Sequence, residues 1–320
     1  MTHVNFRCAS SLEECKSAFN LAKKIFKDDH SSTLKSLNWQ YFGIDQPENI
    51  IIGHLGKNII GVVRICPLKM KVKGKNLKVA GLSSICIHPK FQGHGFGRAL
   101  MQKSTSYLDQ IGYDLSFLIA RRAADNFYTK FGYFGASSYQ SINLRCKKNK
   151  LFDNTKLVFG EFNLKNSNNY LDFFQQSYEN CFGACYRNGD FWDRSIKKMP
   201  SMGLLFKEII FNDKLMGYIV SNAEGIIECG FADNIDPSII KQTLMRFSND
   251  GEYIRVFIPH DHKITKTLVD EDVEYFSRQC LYGGHMVRWS SLFNPIPICI
   301  GKFDKEKEPI FFNIPLLDQV

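Results

Sequence analysis

No stretch of the 320 residues approaches the run of about 18 apolar residues that a membrane-spanning helix needs, so a membrane protein of that kind is not expected. The first residues, MTHVNFRCASSLEECKS, lack the apolar core of a signal peptide. A cytoplasmic protein is therefore expected, with export by a route lacking a cleaved signal left open. The ten cysteines form no metal pattern: three residues separate Cys181 from Cys185, and no second pair completes a tetrahedral zinc site. They read as ordinary buried thiols. His260 and His262 flank Asp261, but surface or capping roles suit them better than a metal, and no metal is expected. Zinc-finger spacing and RNA-binding signatures are missing too, so nucleic acid is not an expected partner.

What is present is enough apolar material, 44% of residues, for a real core and too much for a disordered chain. The net charge of +9 is modest for this length and can attract an anionic ligand without saying anything of the fold. The densest basic stretch, PLKMKVKGKNLKV at 67–79, places Lys69, Lys71, Lys73, Lys75 and Lys78 at nearly alternate positions around Gly74. That period predicts a hairpin with one lysine-lined solvent face; docking of an acidic partner is the lesser reading.

The first half reads as a strand at 4–8, a helix over 12–27 with Leu12, Phe19, Ala22 and Phe26 as its apolar stripe, and a hairpin turning at Gly56–Lys57. The lysine hairpin follows, then a strand AGLSSICIHP, a glycine loop entering a helix that Gly112 ends, and the strand DLSFLIA. A short helix, a turn at Gly132 and a closing strand complete it. The second half repeats the order more faintly: a helix over YLDFFQQSYENCFGACY, a hairpin turning at Asn212–Asp213, the strand GIIECGFA, a helix opening at Pro237, the strand YIRVFIP and a final GGHMVRW. Before the second helix stands FADNIDP where the first half has QGHGFG. Residues 146–165 read as the connection. The fold expected is α/β (α+β) with two similar halves, 1–150 and 151–292, each a mixed, mostly antiparallel sheet flanked by helices, and a tail at 293–320.

The segment that carries chemistry is Ser84 to Arg98. Glycines 93, 95 and 97 permit tight backbone angles, and a helix starts directly after them. Unpaired amides and the positive end of the helix dipole then converge, which suits a phosphate or pyrophosphate without any lysine. A Walker A loop, GxxxxGK[ST], is absent. A Rossmann fingerprint requires GxGxxG at the start of a βαβ unit, whereas GxGxG here follows antiparallel hairpins. Glycines kept only for close helix–sheet packing are the plain alternative.

The order strand, Q-x-x-G-x-G, helix, strand, FYTKFGY resembles the GCN5-related N-acetyltransferase superfamily over roughly residues 50–145. The resemblance implies acetyl coenzyme A as co-substrate, its pyrophosphate on Gln92, Gly93, His94, Gly95, Phe96, Gly97 and Arg98, and its pantetheine arm along Ile85, Cys86 and Ile87. In such enzymes the tyrosine of the FY pair protonates the departing thiolate, and Tyr128 is the match. A core aromatic is the plain reading of Tyr128. Asn126 is placed with the coenzyme, with capping of the short helix as its alternative. A closer resemblance is to the enhanced-intracellular-survival acetyltransferases and related bacterial proteins, which have two tandem acetyltransferase-like domains. It extends over about residues 1–292, with CYRNGDFW, IIECGFA and GGHMVRW fitting a degenerate second domain. Those proteins continue into a sterol-carrier-like domain, for which the thirty or so residues after Trp289 are too few. Their terminal carboxylate helps activate the amine, a role open for Val320.

The expected activity is transfer of acetyl to a primary amine in a ternary complex. The acceptor is a small-molecule amine or a protein lysine, and the sequence does not set the oligomeric state. Asp114, His88 and His94 are considered as further polar groups of the site, Asp114 chiefly as a cap, and no general base is assigned. A non-catalytic sensor of acyl coenzyme A and a nucleotide-binding oxidoreductase are the rival readings.

Overall fold

A computed structural model describes residues 4–26, 46–72, 75–120, 124–146, 156–181, 183–247, 254–259, 261–268 and 273–291. Twelve strands form one sheet in the order β1-β2-β3-β4-β5-β12-β6-β11-β10-β9-β8-β7. The first half contributes β1 (Asn5–Cys8), α1 (Leu12–Phe26), β2 (Ile50–Leu55), β3 (Asn58–Val72), β4 (Lys75–Ile87), α2 (Phe96–Gln110), β5 (Leu115–Ile119), α3 (Asp125–Tyr128) and β6 (Phe134–Cys146). The second contributes β7 (Leu157–Gly160), α4 (Ser167–Tyr178), α5 (Asp190–Lys198), β8 (Leu205–Phe211), β9 (Lys214–Asn222), β10 (Gly225–Phe231), α6 (Pro237–Phe247), β11 (Ile254–Ile258) and β12 (Val273–Trp289).

The two halves repeat one another strand for strand. β4 pairs with β5 in parallel, and β10 with β11 in parallel, while every other described pairing is antiparallel. The closing strands are exchanged. β12 of the second half lies against β5, and β6 of the first half lies against β11, with β6 and β12 paired to each other between them. A cut near residue 150 thus separates two sequence repeats that the sheet joins again.

The lysine hairpin and the strand AGLSSICIHP are one continuous element. β3 and β4 run long, so the hairpin expected at 67–79 is their far end and its two arms belong to the strands on either side. Lys69 stands directly opposite Lys78, both exposed, while Met70 and Leu77 are buried on the other face. The turn at Gly74 lies outside the described residues. In α1 the buried face is Cys15, Ala18, Phe19, Leu21 and Ala22, whereas Leu12 is 54% exposed in the first turn. The small side chains let the helix approach β2 and β3 closely, which a stripe of large residues would prevent.

Two expected elements of the second half differ. The helix expected over 170–186 ends at Tyr178; further on, Gly183 adopts φ 103° and the next residues join the first half. The Tyr186 amide donates to the Lys69 carbonyl at 2.7 Å and Cys185 bridges to Met70, so this segment adds to the free edge of β3. The connection expected over 146–165 holds strand β7, which pairs with β8; residues 147–155 of it lie outside the described set, as do His260 and the 293–320 tail.

Three apolar clusters matter for the site. One lies on the α2 face and includes Ile51, Val63, Leu82, Leu100, Leu118, Tyr128, Tyr133 and Met286. On the opposite face α1 packs over Ile50, Ile52, Val62 and Cys86, and beside it Met70, Val79, Phe117, Cys185 and Val287 join the two halves.

Candidate active site

β4 and β5 pair from Val79↔Leu115 to Leu82↔Leu118 and then part. The cause is local. Val62 faces Cys86 and Arg64 faces Ser83, so Ser84 and Ile85 together oppose the single residue Val63. Ser84 has φ 53°, a left-handed angle unusual for a non-glycine residue. The bulge bends β4 away from β5, leaving the edge of residues 83–87 that faces β5 without a strand partner among the described residues. The only trace of this bulge in the sequence is a pair of serines, Ser83 and Ser84, in the middle of an apolar strand.

The glycine loop sits at the end of that opened edge. Pro89–Phe91 form a single 3-10 turn, with the His88 ring nitrogen Nδ1 accepting from the Lys90 amide at 3.2 Å. Gly93 and Gly95 have φ 81° and 80°, and a Cβ at either would meet nothing within 4 Å. Close packing therefore does not require these two glycines; the backbone angles do. Gly95 is the N-cap of α2 and no side chain caps the helix. The first intrahelical bond is Ala99 N–H to Gly95 O, at 3.1 Å. Among the described residues, the amides of Gly93 through Arg98 have no acceptor. These donors and the helix dipole form an anion site.

The side chains around it have separate tasks. Gln92 Nε2 donates to the Ile87 carbonyl at 3.0 Å, tying the loop to the end of β4. The His94 ring bonds back to the Gln92 carbonyl at 2.8 Å and stacks on Phe96. Arg98 is exposed, with no ion pair among the described residues. Asp114 is a structural cap: its carboxylate accepts from the Lys78 amide at 2.7 Å and locks the start of β5 to β4.

Across the opening stands α3, joined to β6 by a 3-10 turn and Gly132 at φ 85°. Tyr128 is 9% exposed, with Phe127 edge-on at 5.1 Å and Tyr133 at 6.3 Å. Its hydroxyl has no hydrogen-bond partner among the described residues, unlike Tyr133, whose hydroxyl pairs with Ser116 at 2.8 Å. Burial, with the nearby Cys86 thiol as the lesser cause, pushes the Tyr128 phenol up to about 12. Cys86 itself is pushed up to about 12 by burial and remains a thiol at neutral pH. Asn126 is exposed, and its carbonyl accepts from the Thr129 hydroxyl at 3.1 Å.

β12 braces this arrangement from the second half. Arg288 grips Asp109 through two bonds of 2.9 and 2.6 Å, fixing the C-terminal end of α2. Burial works to raise the Asp109 carboxyl, but Arg288 and Ser291 outweigh it and hold the group below its usual range.

The corresponding place in the second half is closed. β10 meets β11 at one position, Ile226↔Val256, and has its own bulge between Ile226 and Glu228. Beyond that bulge the charged pair and the imidazole are engaged within the half itself. Arg187 and Glu228 form a bidentate pair at 2.7 Å with 1% and 0% exposure, and Tyr218 donates to the same carboxylate at 2.8 Å. His262 Nε2 donates to the Cys229 carbonyl at 3.2 Å while Nδ1 accepts from the Ile264 amide at 3.3 Å. Helix α6 is capped by Asp236, whose carboxylate takes the Ser238 amide at 2.8 Å. A carboxylate occupies the position where α2 has open amides.

His262 is held near pKa 4 because burial penalises its charged form, with the Cys229 carbonyl opposing weakly. The unfolded chain therefore takes up this proton first. Stability from this residue is complete above its unfolded value of about 6.5 and is lost as pH falls toward 4, by roughly 3 kcal/mol in all. The urea midpoint should drop between pH 7 and pH 5, and His262→Gln should flatten that dependence. Equal slopes in both proteins would show that His262 does not set it.

Residues 9–135 match the family model described as Acetyltransferase (GNAT) domain. No curated protein sequence matches the chain. Among solved structures, a GCN5-related N-acetyltransferase from Anabaena variabilis is 17% identical, with a TM-score of 0.63 over 91% of this chain and 74% of its own. A conserved protein from Enterococcus faecalis is 13% identical, with a TM-score of 0.68 over the same shares, 91% and 74%. Eis1 from Mycobacterium abscessus is 15% identical, with a TM-score of 0.61 over 90% of this chain and 74% of its own. The fold is that of the GCN5-related N-acetyltransferases, repeated in two halves. Among the described residues, no group of three or more His, Cys, Asp or Glu side chains could hold a metal ion, and no helix is long and apolar enough to cross a membrane.

Proposed function

We propose that this protein is an N-acetyltransferase that binds acetyl coenzyme A in its first half and passes the acetyl group directly to a primary amine, a small molecule or a protein lysine. The observation that carries this reading is the contrast between two equivalent helix starts. α2 opens with free amides on left-handed glycines beside an unpaired strand edge, and α6 opens on its own aspartate.

The residues fit the coenzyme. The amides of Gly93 to Arg98 suit its pyrophosphate, with the Arg98 guanidinium alongside, and the open edge at Ile85, Cys86 and Ile87 offers the backbone groups that a pantetheine amide chain would pair with. Gln92, His94 and Phe96 shape the loop, and Asn126 stands exposed at the start of the facing turn. The coenzyme supplies an acetyl group activated as a thioester. The chain supplies a proton donor, since Tyr128 keeps its phenolic proton throughout the physiological range. Cys86 is a buried neutral thiol, which favours direct transfer over an acetylated enzyme.

The second half braces the first through β12, and its closed cleft supports a single coenzyme site. This agrees with a tandem arrangement in the manner of the enhanced-intracellular-survival proteins, divided near residue 150. Titration calorimetry with acetyl coenzyme A should give one site per chain, and an amine panel should contain acceptors that release free thiol. Two equivalent sites would overturn the assignment of the closed half. Binding without turnover across the panel would favour a sensor.

A further inference from the structure

The exchange of closing strands carries a charged side chain of the second half onto the face that bears Tyr128. The register of β12 on β5 places Arg288 opposite Ser116 and Met286 opposite Leu118. Directly opposed residues of an antiparallel pair share a face of the sheet, as do residues two apart along one strand. Leu118 and Met286 belong to the cluster that contains Tyr128, so Arg288 and Ser116 lie on that face too. The Arg288 side chain is only 12% exposed there.

Three contacts converge on this arginine. Its guanidinium holds Asp109 in the last turn of α2, the helix whose first turn carries the open amides. Its stem lies along Gly132, where a Cβ would meet Arg288 Cγ and Nε at 3.8 Å and Cδ at 3.9 Å. Gly132 closes the turn that carries Tyr128: its amide donates to the Thr129 carbonyl at 3.1 Å, and the next amide, Tyr133, donates to the Tyr128 carbonyl at 3.4 Å. The third neighbour is the Tyr133 phenol, bonded to Ser116 at 2.8 Å. Burial pushes that phenol up, and Ser116 and the Arg288 charge both oppose the push. One side chain thus ties the helix of the anion site to the turn of Tyr128.

We propose that Arg288, delivered by the second half, is a positioning residue that sets the Tyr128 phenol against the coenzyme held by α2. The inference rests on the acetyltransferase reading. Arg288 donates no proton and acts through Tyr128. The Tyr128 ring is held by edge contacts with Phe127 and Tyr133, which are apolar and non-directional. Such contacts keep the ring in the core without fixing where its hydroxyl points, and proton donation to a sulfur demands hydrogen-bond geometry. A bidentate guanidinium–carboxylate pair is directional, and here it registers the tyrosine's turn to the helix. The half whose own cleft is closed therefore takes part in the rate of the other.

The test is a double-mutant cycle on the full-length chain: wild type, Arg288→Gln, Tyr128→Phe and the double variant, with an acceptor from the active panel and saturating coenzyme. Arg288→Gln should lower turnover by on the order of 10- to 100-fold, the size expected when a reacting group is displaced by about 1 Å. In the Tyr128→Phe background the same change should cost less than about threefold, because the group that Arg288 positions is already gone. A merely structural arginine would cost the same in both backgrounds. Coenzyme affinity should hold, and Arg288→Lys, which keeps a charge beside Asp109 and a stem along Gly132, should recover part of the rate. Should Arg288→Gln melt early, Arg288→Gln combined with Asp109→Asn, which leaves no unpaired carboxylate, takes its place in the cycle. Wild-type turnover in the folded arginine variant, or an equal loss in both backgrounds, would overturn this inference alone. A wild type inactive with every amine would remove the activity and the inference together.

Discussion

Gly95→Val should weaken the binding of acetyl coenzyme A by about 100-fold, equivalent to ~2.7 kcal/mol, while leaving the fold standing. Gly95 holds φ 80° at the start of α2, where a branched side chain costs roughly 1–2 kcal/mol and is relieved only by turning the peptide. Turning it swings the amides of the loop away from the site they share. The Cβ itself would meet no atom within 4 Å, so valine disturbs the backbone and not the packing. Gly61 is the informative contrast. A Cβ there would lie 2.7 Å from Ile87 Cδ1 and 3.3 Å from Leu100 Cδ2, so Gly61→Val should lower the melting temperature through the core. Calorimetry and thermal melts on both variants separate the effects. A folded Gly95→Val protein with wild-type affinity would place the phosphate elsewhere.

The loop was legible in the sequence because its cause is local: three glycines and the start of a periodic helix need no distant partner to be recognised. The same holds for the hairpin turns at Gly56 and at Asn212–Asp213, whose positive φ angles suit those residues. The opening between β4 and β5 was not legible, since it arises from two residues of β4 opposing one of β3 across the sheet. The strand exchange was further out of reach. Both closing strands read as ordinary strands, and nothing in either states which half it will join. Repetition of element order revealed two copies; the pairing of β12 with β5 is decided by long-range contacts such as Arg288 with Asp109 and Met286 within the α2-side cluster. The segment 179–186 failed for a related reason. Its helical pattern was real, but the edge of β3 offered hydrogen bonds that outweighed it.

Tyr128 brings both kinds of evidence together, and its replacement should have the largest effect on rate. Tyr128→Phe keeps the ring between Phe127 and Tyr133, so packing in the α2-side cluster survives. The hydroxyl has no hydrogen bond to lose among the described residues, so the stability change should be small. A hydroxyl without a partner among the described residues, at the end of a mostly buried ring, is what a proton donor to a bound sulfur would look like before its partner arrives. Turnover with a saturating amine should therefore fall by roughly 10²–10⁴-fold while coenzyme affinity holds. The pH profile adds an independent check. With its pKa pushed up to about 12, the phenol stays protonated well into alkali, so wild-type turnover should not decline between pH 8 and about 10 through ionisation of this acid. The residual rate of Tyr128→Phe should lie parallel to the wild-type rate across that range. A variant within about threefold of wild type would mean that the leaving thiolate takes its proton from another source, even where product release limits part of the turnover.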